Sequence, residues 1–268
     1  MKFAELLNPN GDFKTCCTTF YEFDLLQVLL GDSMHPGGVQ LTKDLGKKLQ
    51  LSPNDRVLDL ASGLGTSAIA LAEEYDSTII GIDLSSKNVK YGNKRAVEKG
   101  LRKVSFKAGD AEELPFDDES FDVVISECSF CLFPKKEVAA AEMFRVLKPQ
   151  GRLGITDVAV EKELPGDIQG MIFRFACIAD ALSTAGYVRE FKKAGFQNLA
   201  AEDRKDMVYK MIIDVKKKIF LAELARGLKK LDLGDLDVKQ AKKWLHRGKE
   251  LVDAGYGSYV MISGNKPS

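Results

Sequence analysis

The chain has 268 residues, 45% of them hydrophobic, and its 39 basic side chains balance 39 acidic ones. That balance argues against a protein that grips nucleic acid through phosphate contacts or anionic lipid through a polybasic patch. The length suits one large domain, with or without an insertion, and the apolar fraction is ample for a core. No apolar stretch approaches the roughly 20 residues of a membrane-spanning helix, and Met1-Lys2-Phe3-Ala4-Glu5 does not open like a secretory signal. These features lead us to expect a soluble cytoplasmic protein, and they leave five cysteines to explain beside only two histidines. In that compartment thiols are core residues, metal or metalloid ligands, or nucleophiles rather than disulfides.

In chain order, the first 50 or so residues read as helical, including 21–30 and 39–51, with Pro36-Gly37-Gly38 between them. From residue 56 to 158, short β-branched runs at 56–60, 78–82, 103–107, 121–125 and 152–156 predict strands. Helical patterns at 66–75, 86–99 and 136–147 alternate with them, the last closed by Lys148-Pro149-Gln150-Gly151. Such alternation implies right-handed crossovers and a mostly parallel sheet covered on both faces. One or two helices follow between 167 and 194, then a strand near 196–203. Residues 206–254 predict two Lys-rich amphipathic helices separated by Leu233-Gly234-Asp235, and 258–262 a final strand.

The first strand runs into Asp59-Leu60-Ala61-Ser62-Gly63-Leu64-Gly65-Thr66, a strand, a glycine turn and a helix start. Glycines serve where the backbone turns tightly and a ligand must approach it. Gly63-x-Gly65-x-x-Ala68 alone also satisfies a dinucleotide fingerprint. Asp83 ends the second strand 20 residues after Gly63, where a carboxylate accepts from ribose hydroxyls, and it fits either ligand. Asp59, however, would repel a pyrophosphate, and Gly109-Asp110-Ala111 offers a carboxylate to an adenine amino group. Three carboxylates at consecutive strand ends suit a ligand with an amino group, a ribose and an adenine but no phosphate.

These residues resemble the class I methyltransferases, which use S-adenosylmethionine. The likeness runs through Asp59-x-Ala61-x-Gly63-x-Gly65, Asp83, Asp110-Ala111, Leu114-Pro115-Phe116-Asp117-x-x-Ser120-Phe121-Asp122 and Arg145 to Leu153, covering residues 40–200 in order. It departs at Ala61, usually glycine, and at Ser62, often cysteine. The resemblance implies a Rossmann-like α/β fold with a seven-stranded, mostly parallel sheet whose last strand is antiparallel. It also implies a division into an N-terminal helical lid (1–50), a methyltransferase domain (51–205 with 255–268) and a two-helix insertion (206–254). As cofactor-binding residues it suggests Asp59, Ala61, Ser62, Gly63, Gly65, Asp83, Leu84, Asn88, Gly109, Asp110, Ala111 and Glu127, with His35 and Gly37 closing over the methionine end.

Methyl transfer from a sulfonium needs alignment and desolvation more than acid or base chemistry. After the fourth strand comes Ser126-Glu127-Cys128-Ser129-Phe130-Cys131-Leu132-Phe133-Pro134, without the Asn/Asp-Pro-Pro-aromatic signature of base methylation. Cys128, and Cys177 within 174–182, are similar in placement to two thiols of the arsenite methyltransferases. The resemblance implies trivalent arsenic bound at Cys128 and Cys177, with Cys131, Cys16 or Cys17 as further candidates. The arsenite enzymes carry another cysteine before the first strand, where this chain reads Ser33-Met34-His35-Pro36-Gly37-Gly38. The expected partner is therefore a small molecule or metalloid, with neither nucleic acid nor membrane, and the oligomeric state stays open. Alternatives are a small-molecule C-, O- or thiol methyltransferase, core cysteines without chemistry, a non-catalytic cofactor- or zinc-binding module, and a nicotinamide dehydrogenase.

Overall fold

A computed structural model describes Lys14 and residues 31–166, 180–227 and 238–268. Among the described residues, seven strands form one sheet: β1 (Arg56–Leu60), β2 (Thr78–Asp83), β3 (Val104–Ala108), β4 (Phe121–Glu127), β5 (Leu147–Val160), β6 (Gln197–Asp203) and β7 (Gly257–Asn265). Their order is β3-β2-β1-β4-β5-β7-β6, with β7 antiparallel to both neighbours and the pairs from β3 to β5 parallel. The helices are α1 (Gly38–Lys48), α2 (Thr66–Tyr75), α3 (Ser86–Glu98), α4 (Lys136–Val146), α5 (Thr184–Lys193), α6 (Lys205–Gly227) and α7 (Val238–Asp253).

The period of two along each strand assigns residues to the two faces. Leu58, Ile80, Val124 and Leu153 join Met143 of α4 and Tyr187 and Phe191 of α5 in one core. Val57, Ile79, Val104 and Val123 face the other way, onto Leu41 and Leu45 of α1 and Ile69 and Leu71 of α2. The described part of the first 50 residues thus shares a core with the sheet domain. The reversal of strand order between β2-β1 and β4 opens a crevice at the carboxyl ends of β1 and β4, where ligands of such sheets bind.

Two expectations changed in detail. The Lys148-to-Gly151 stop ends α4, but the chain enters β5 with no intervening loop: Leu147 pairs with Phe121, and the Gln150 N–H donates to Lys266 O at 3.1 Å. α6 is not cleanly amphipathic. Ile212, Val215 and Ile219 turn inward while Ile213, Phe220 and Leu221 are 52%, 62% and 61% exposed. The expected helix at 21–30, the first part of 167–194 and the break at 233–235 lie outside the described residues.

Candidate active site

A cleft of about 1150 Å³, part of it open to solvent, sits at the carboxyl ends of β1, β2, β3 and β4. β1 delivers Asp59 and the turn Ala61-Ser62-Gly63 to its wall; β2 delivers Asp83 and Leu84, with Asn88 of α3 beside them. Gly109, Asp110 and Ala111 follow β3, Glu127 and Cys128 close β4, and His35 enters from the segment before α1. Gly65 and Gly37 stand off the wall. Gly65 caps α2 at φ 77°, and a Cβ there would lie 2.5 Å from the Phe106 ring; Gly37 caps α1 at φ 83°. Their work is to shape the loops that carry the lining residues.

Asp83 is held from both sides. Its Oδ2 accepts the Gly63 N–H at 2.8 Å, while Oδ1 accepts the Ser85 N–H at 2.8 Å and the Asn88 side-chain amide at 3.2 Å. The glycine turn and the end of β2 are therefore locked together. Ala61 takes φ 53° in this turn, a left-handed conformation that favours glycine, so a methyl-bearing residue stands at a strained position. Asp110 Oδ1 accepts the Glu112 N–H at 2.9 Å, and its Oδ2 meets Lys14 Nζ at 2.6 Å. Lys14 also reaches Glu112 at 2.6 Å.

Between β1 and β4 the site is rich in acceptors. Asp59 is buried, and burial together with the neighbouring charges of Glu127 and Asp83 pushes its carboxyl well above the usual 3.8. Glu127 Oε2 accepts a hydrogen bond from the Thr42 hydroxyl at 2.9 Å, and Thr42 also contacts the Ser67 hydroxyl at 3.3 Å. His35 is 6% exposed; its Nδ1 lies 3.0 Å from Pro36 O and its Nε2 3.8 Å from Glu127 Oε2. Among the described residues, Asp59 Oδ2, Ser62 Oγ, Glu127 Oε1 and His35 Nε2 are buried without a hydrogen-bond partner. Buried polar atoms are ordinarily satisfied, so these four facing one cleft fit a ligand that brings donors or positive charge. A pyrophosphate would meet carboxylates here; an amino-acid end, a ribose and an adenine would find acceptors.

Cys128 follows β4 at φ 53° and lies on the cleft wall, its N–H donating to Thr156 O at 2.6 Å. Cys131 does not reach the cleft. It is 1% exposed in the short 3-10 turn Phe130–Leu132, and its N–H donates to the buried Asp157 carboxylate at 2.8 Å. Cys16, Cys17 and Cys177 lie outside the described residues. Among those described, no group of three or more His, Cys, Asp or Glu side chains is arranged to hold a metal ion. Sequence reading missed Lys14, Thr42 and Ser67, and quoted Leu132, Phe133 and Pro134 without giving them a role. No motif marks them, because each reaches the site through tertiary packing.

Strand order, glycine turn and carboxylate-lined cleft together are those of the class I S-adenosylmethionine-dependent methyltransferase fold. The chain belongs to the methyltransferase domain family, whose model matches residues 51–218. Among relatives, it is 29% identical over 260 residues to 27-O-demethylrifamycin SV methyltransferase of Amycolatopsis mediterranei, covering 91% of this chain and 93% of that one. It is 32% identical over 150 residues to arsenite methyltransferase of Halobacterium salinarum, covering 55% and 38%. It spans 38–40% of the length of several further relatives. A solved Haemonchus contortus phosphoethanolamine N-methyltransferase 2, in complex with phosphomonomethylethanolamine and S-adenosylhomocysteine, superposes with a TM-score of 0.80. That likeness covers 100% of this chain and 61% of the other at 18% identity, and speaks for the fold. No helix among the described residues is long and apolar enough to cross a membrane.

Proposed function

We propose that this protein transfers the methyl group of S-adenosylmethionine to a small, soft acceptor in the cytoplasm, with trivalent arsenic as the foremost candidate. In this reading Asp83 takes the ribose hydroxyls, Asp110 with Gly109 and Ala111 the adenine, and Asp59 with Glu127 and His35 the amino-acid end. Ala61, Ser62 and Gly63 let the backbone come close, Leu84 and Asn88 flank the ribose, and Gly65 and Gly37 shape the approach. When bound, the cofactor supplies a methyl group already activated on a sulfonium. The protein's remaining tasks are to fix the acceptor in line with that methyl and to exclude water.

The observation that carries the acceptor is Cys128, which lines the cleft at the end of β4. A thiolate bound to trivalent arsenic leaves the metalloid a lone pair, so no general base is needed for methyl transfer. Cys177 and one of Cys16 or Cys17 are the further thiols in this reading, delivered by a helical lid over residues 1–50 and by the segment after β5. Cys131, buried behind the cleft, is left out of the ligand set. The two-helix stretch 206–254 is taken as an insertion before β7. Release of S-adenosylhomocysteine on adding arsenite, in wild type and Cys128→Ser, tests the proposal. Loss of one thiolate ligand should lower turnover by at least the roughly tenfold seen when only an outer-shell partner is lost; unchanged turnover, or no arsenite binding by the wild type, would sink it.

A second reading is a small organic acceptor carrying O–H, N–H or S–H. It is favoured by the full-length likeness to the rifamycin methyltransferase and by the unpartnered His35 Nε2 at the cleft, a base for the acceptor's proton. Turnover of phenolic or thiol acceptors that survives Cys128→Ser would select it.

A further inference from the structure

The inner end of the cleft has acceptors to spare and few hydrogens. The Asp59 residue is 2% exposed and the Glu127 side chain 3%, and each carries one oxygen without a partner among the described residues. Asp83, the third carboxylate of the group, has both oxygens engaged by N–H donors of Gly63, Ser85 and Asn88. The ammonium of Lys14 on the cleft wall sits on Asp110 and Glu112. From α1, Thr42 brings one hydroxyl hydrogen to Glu127. His35 Nδ1 lies against the Pro36 carbonyl and so carries a hydrogen, which in a neutral ring leaves Nε2 a bare lone pair 3.8 Å from Glu127 Oε2. Two buried carboxyls with unpartnered oxygens, facing a ring lone pair and short of donors, are stabilised by added positive charge, whether a proton or a cationic ligand group.

We propose that ligand entry here is coupled to proton release: the buried Asp59 carboxyl, short of hydrogen-bond donors, carries a proton that the ammonium of an incoming amino-acid end expels to solvent. The inference rests on reading the cleft as the cofactor site and holds whichever acceptor is correct. Burial and the repulsion of Glu127 and Asp83, which raise the Asp59 carboxyl, act in the same direction. As the pH falls, protons compete with the cationic group, so affinity declines at a pH above the ordinary carboxylate range, by up to about tenfold per pH unit for a single linked proton. Cys128 on the cleft wall and the buried Tyr259 hydroxyl, which interacts with Glu127, are further ionisable groups at this end, and neither can carry positive charge.

Isothermal titration of the full chain with S-adenosylhomocysteine, in buffers of low and high ionisation heat between about pH 5.5 and 8, counts the protons exchanged. The expected result is release approaching one proton per ligand over part of that range, with affinity rising as pH rises there. Glu127→Gln removes one of the charges that retain the proton, and should cut the release while leaving thermal stability unchanged or higher. Binding with no proton exchange at any pH would overturn the proposal and leave the cofactor site intact. Absence of binding in every buffer would overturn the site assignment, and the proton coupling with it.

Discussion

The glycine turn at the cleft is braced from behind by one aromatic ring, and that brace can be tested at Gly81. Asp59, Gly81 and Phe106 occupy one row across β1, β2 and β3, so all three face the same side of the sheet. The Phe106 ring, 4% exposed, fills the space that a side chain at Gly81 would take. A Cβ at Gly81 would lie 2.4 Å from Phe106 Cδ1 and 2.7 Å from Ser62 Oγ, both far inside contact distance. A Cβ at Gly65 or Gly92 would likewise lie 2.5 Å or 2.9 Å from the ring, so glycine backbone closes round it at all three positions and leaves it little room to retreat. Gly81→Ala should therefore cost about 1–3 kcal/mol through overpacking. At roughly 2–4 °C per kcal/mol for a chain of this size, the melting temperature should fall by about 2–12 °C. Part of the strain must pass into Ser62, so affinity for S-adenosylhomocysteine should fall as well. Phe106→Leu alone also destabilises, by vacating core volume, yet in the double variant the two effects should offset each other, with a coupling of about 0.5–3 kcal/mol. Calorimetric unfolding of the four proteins closes the cycle. Additive effects within about 0.5 kcal/mol would refute the brace.

Other positions yield further outcomes. Arg145 donates from Nε and NH2 to Glu142, from NH1 to Asp118 and Phe116 O, and from NH2 to Leu114 O, tying down the loop after β3. Arg145→Met should cost about 1–3 kcal/mol in urea unfolding at neutral pH, the half-exposed setting discounting the ion pair. The hydrogen bonds from Arg145 hold the Glu142 carboxyl below its ordinary 4.5 despite partial burial, so the stability it contributes is present above that value and lost as pH falls through the lowered one. Wild type should accordingly lose more stability than Arg145→Met between pH 7 and about pH 3; equal losses would contradict this. Ala61→Gly, at φ 53°, should be neutral or stabilise by about 1 kcal/mol, opposite in sign to the usual effect of that change. At Cys128, also φ 53°, Ser should be tolerated while β-branched Val should cost about 1–2 kcal/mol more, measured by thermal unfolding.

What sequence reading reaches here, and where it stops, follows from how local each feature is. Strands β1 to β4 begin and end within a residue or two of their sequence positions, because runs such as Val57-Leu58 and Val123-Val124 must bury on both faces of the sheet. Asp59, Asp83 and Asp110 reach one cleft because a parallel sheet with right-handed crossovers brings every strand's carboxyl end to the same edge. Those residues are legible from spacing alone. Cys131 is the instructive contrast: three residues after Cys128, it turns inward because the 3-10 turn at Phe130–Leu132 directs its backbone to buried Asp157. A Cys-x-x-Cys spacing does not specify that turn. The His35, Thr42 and Glu127 contacts are less local still, since they join the segment before α1, α1 itself and the end of β4 across more than 80 residues of chain. Neither hydropathy nor glycine punctuation encodes which hydroxyl will meet which carboxylate. Excess acceptors at the cleft's inner end emerge only when these three segments are packed together, and that excess makes the site responsive to charge. In the proposed reading the motif residues mark where the cofactor would lie, and the unmotivated neighbours set the proton inventory under which it would bind.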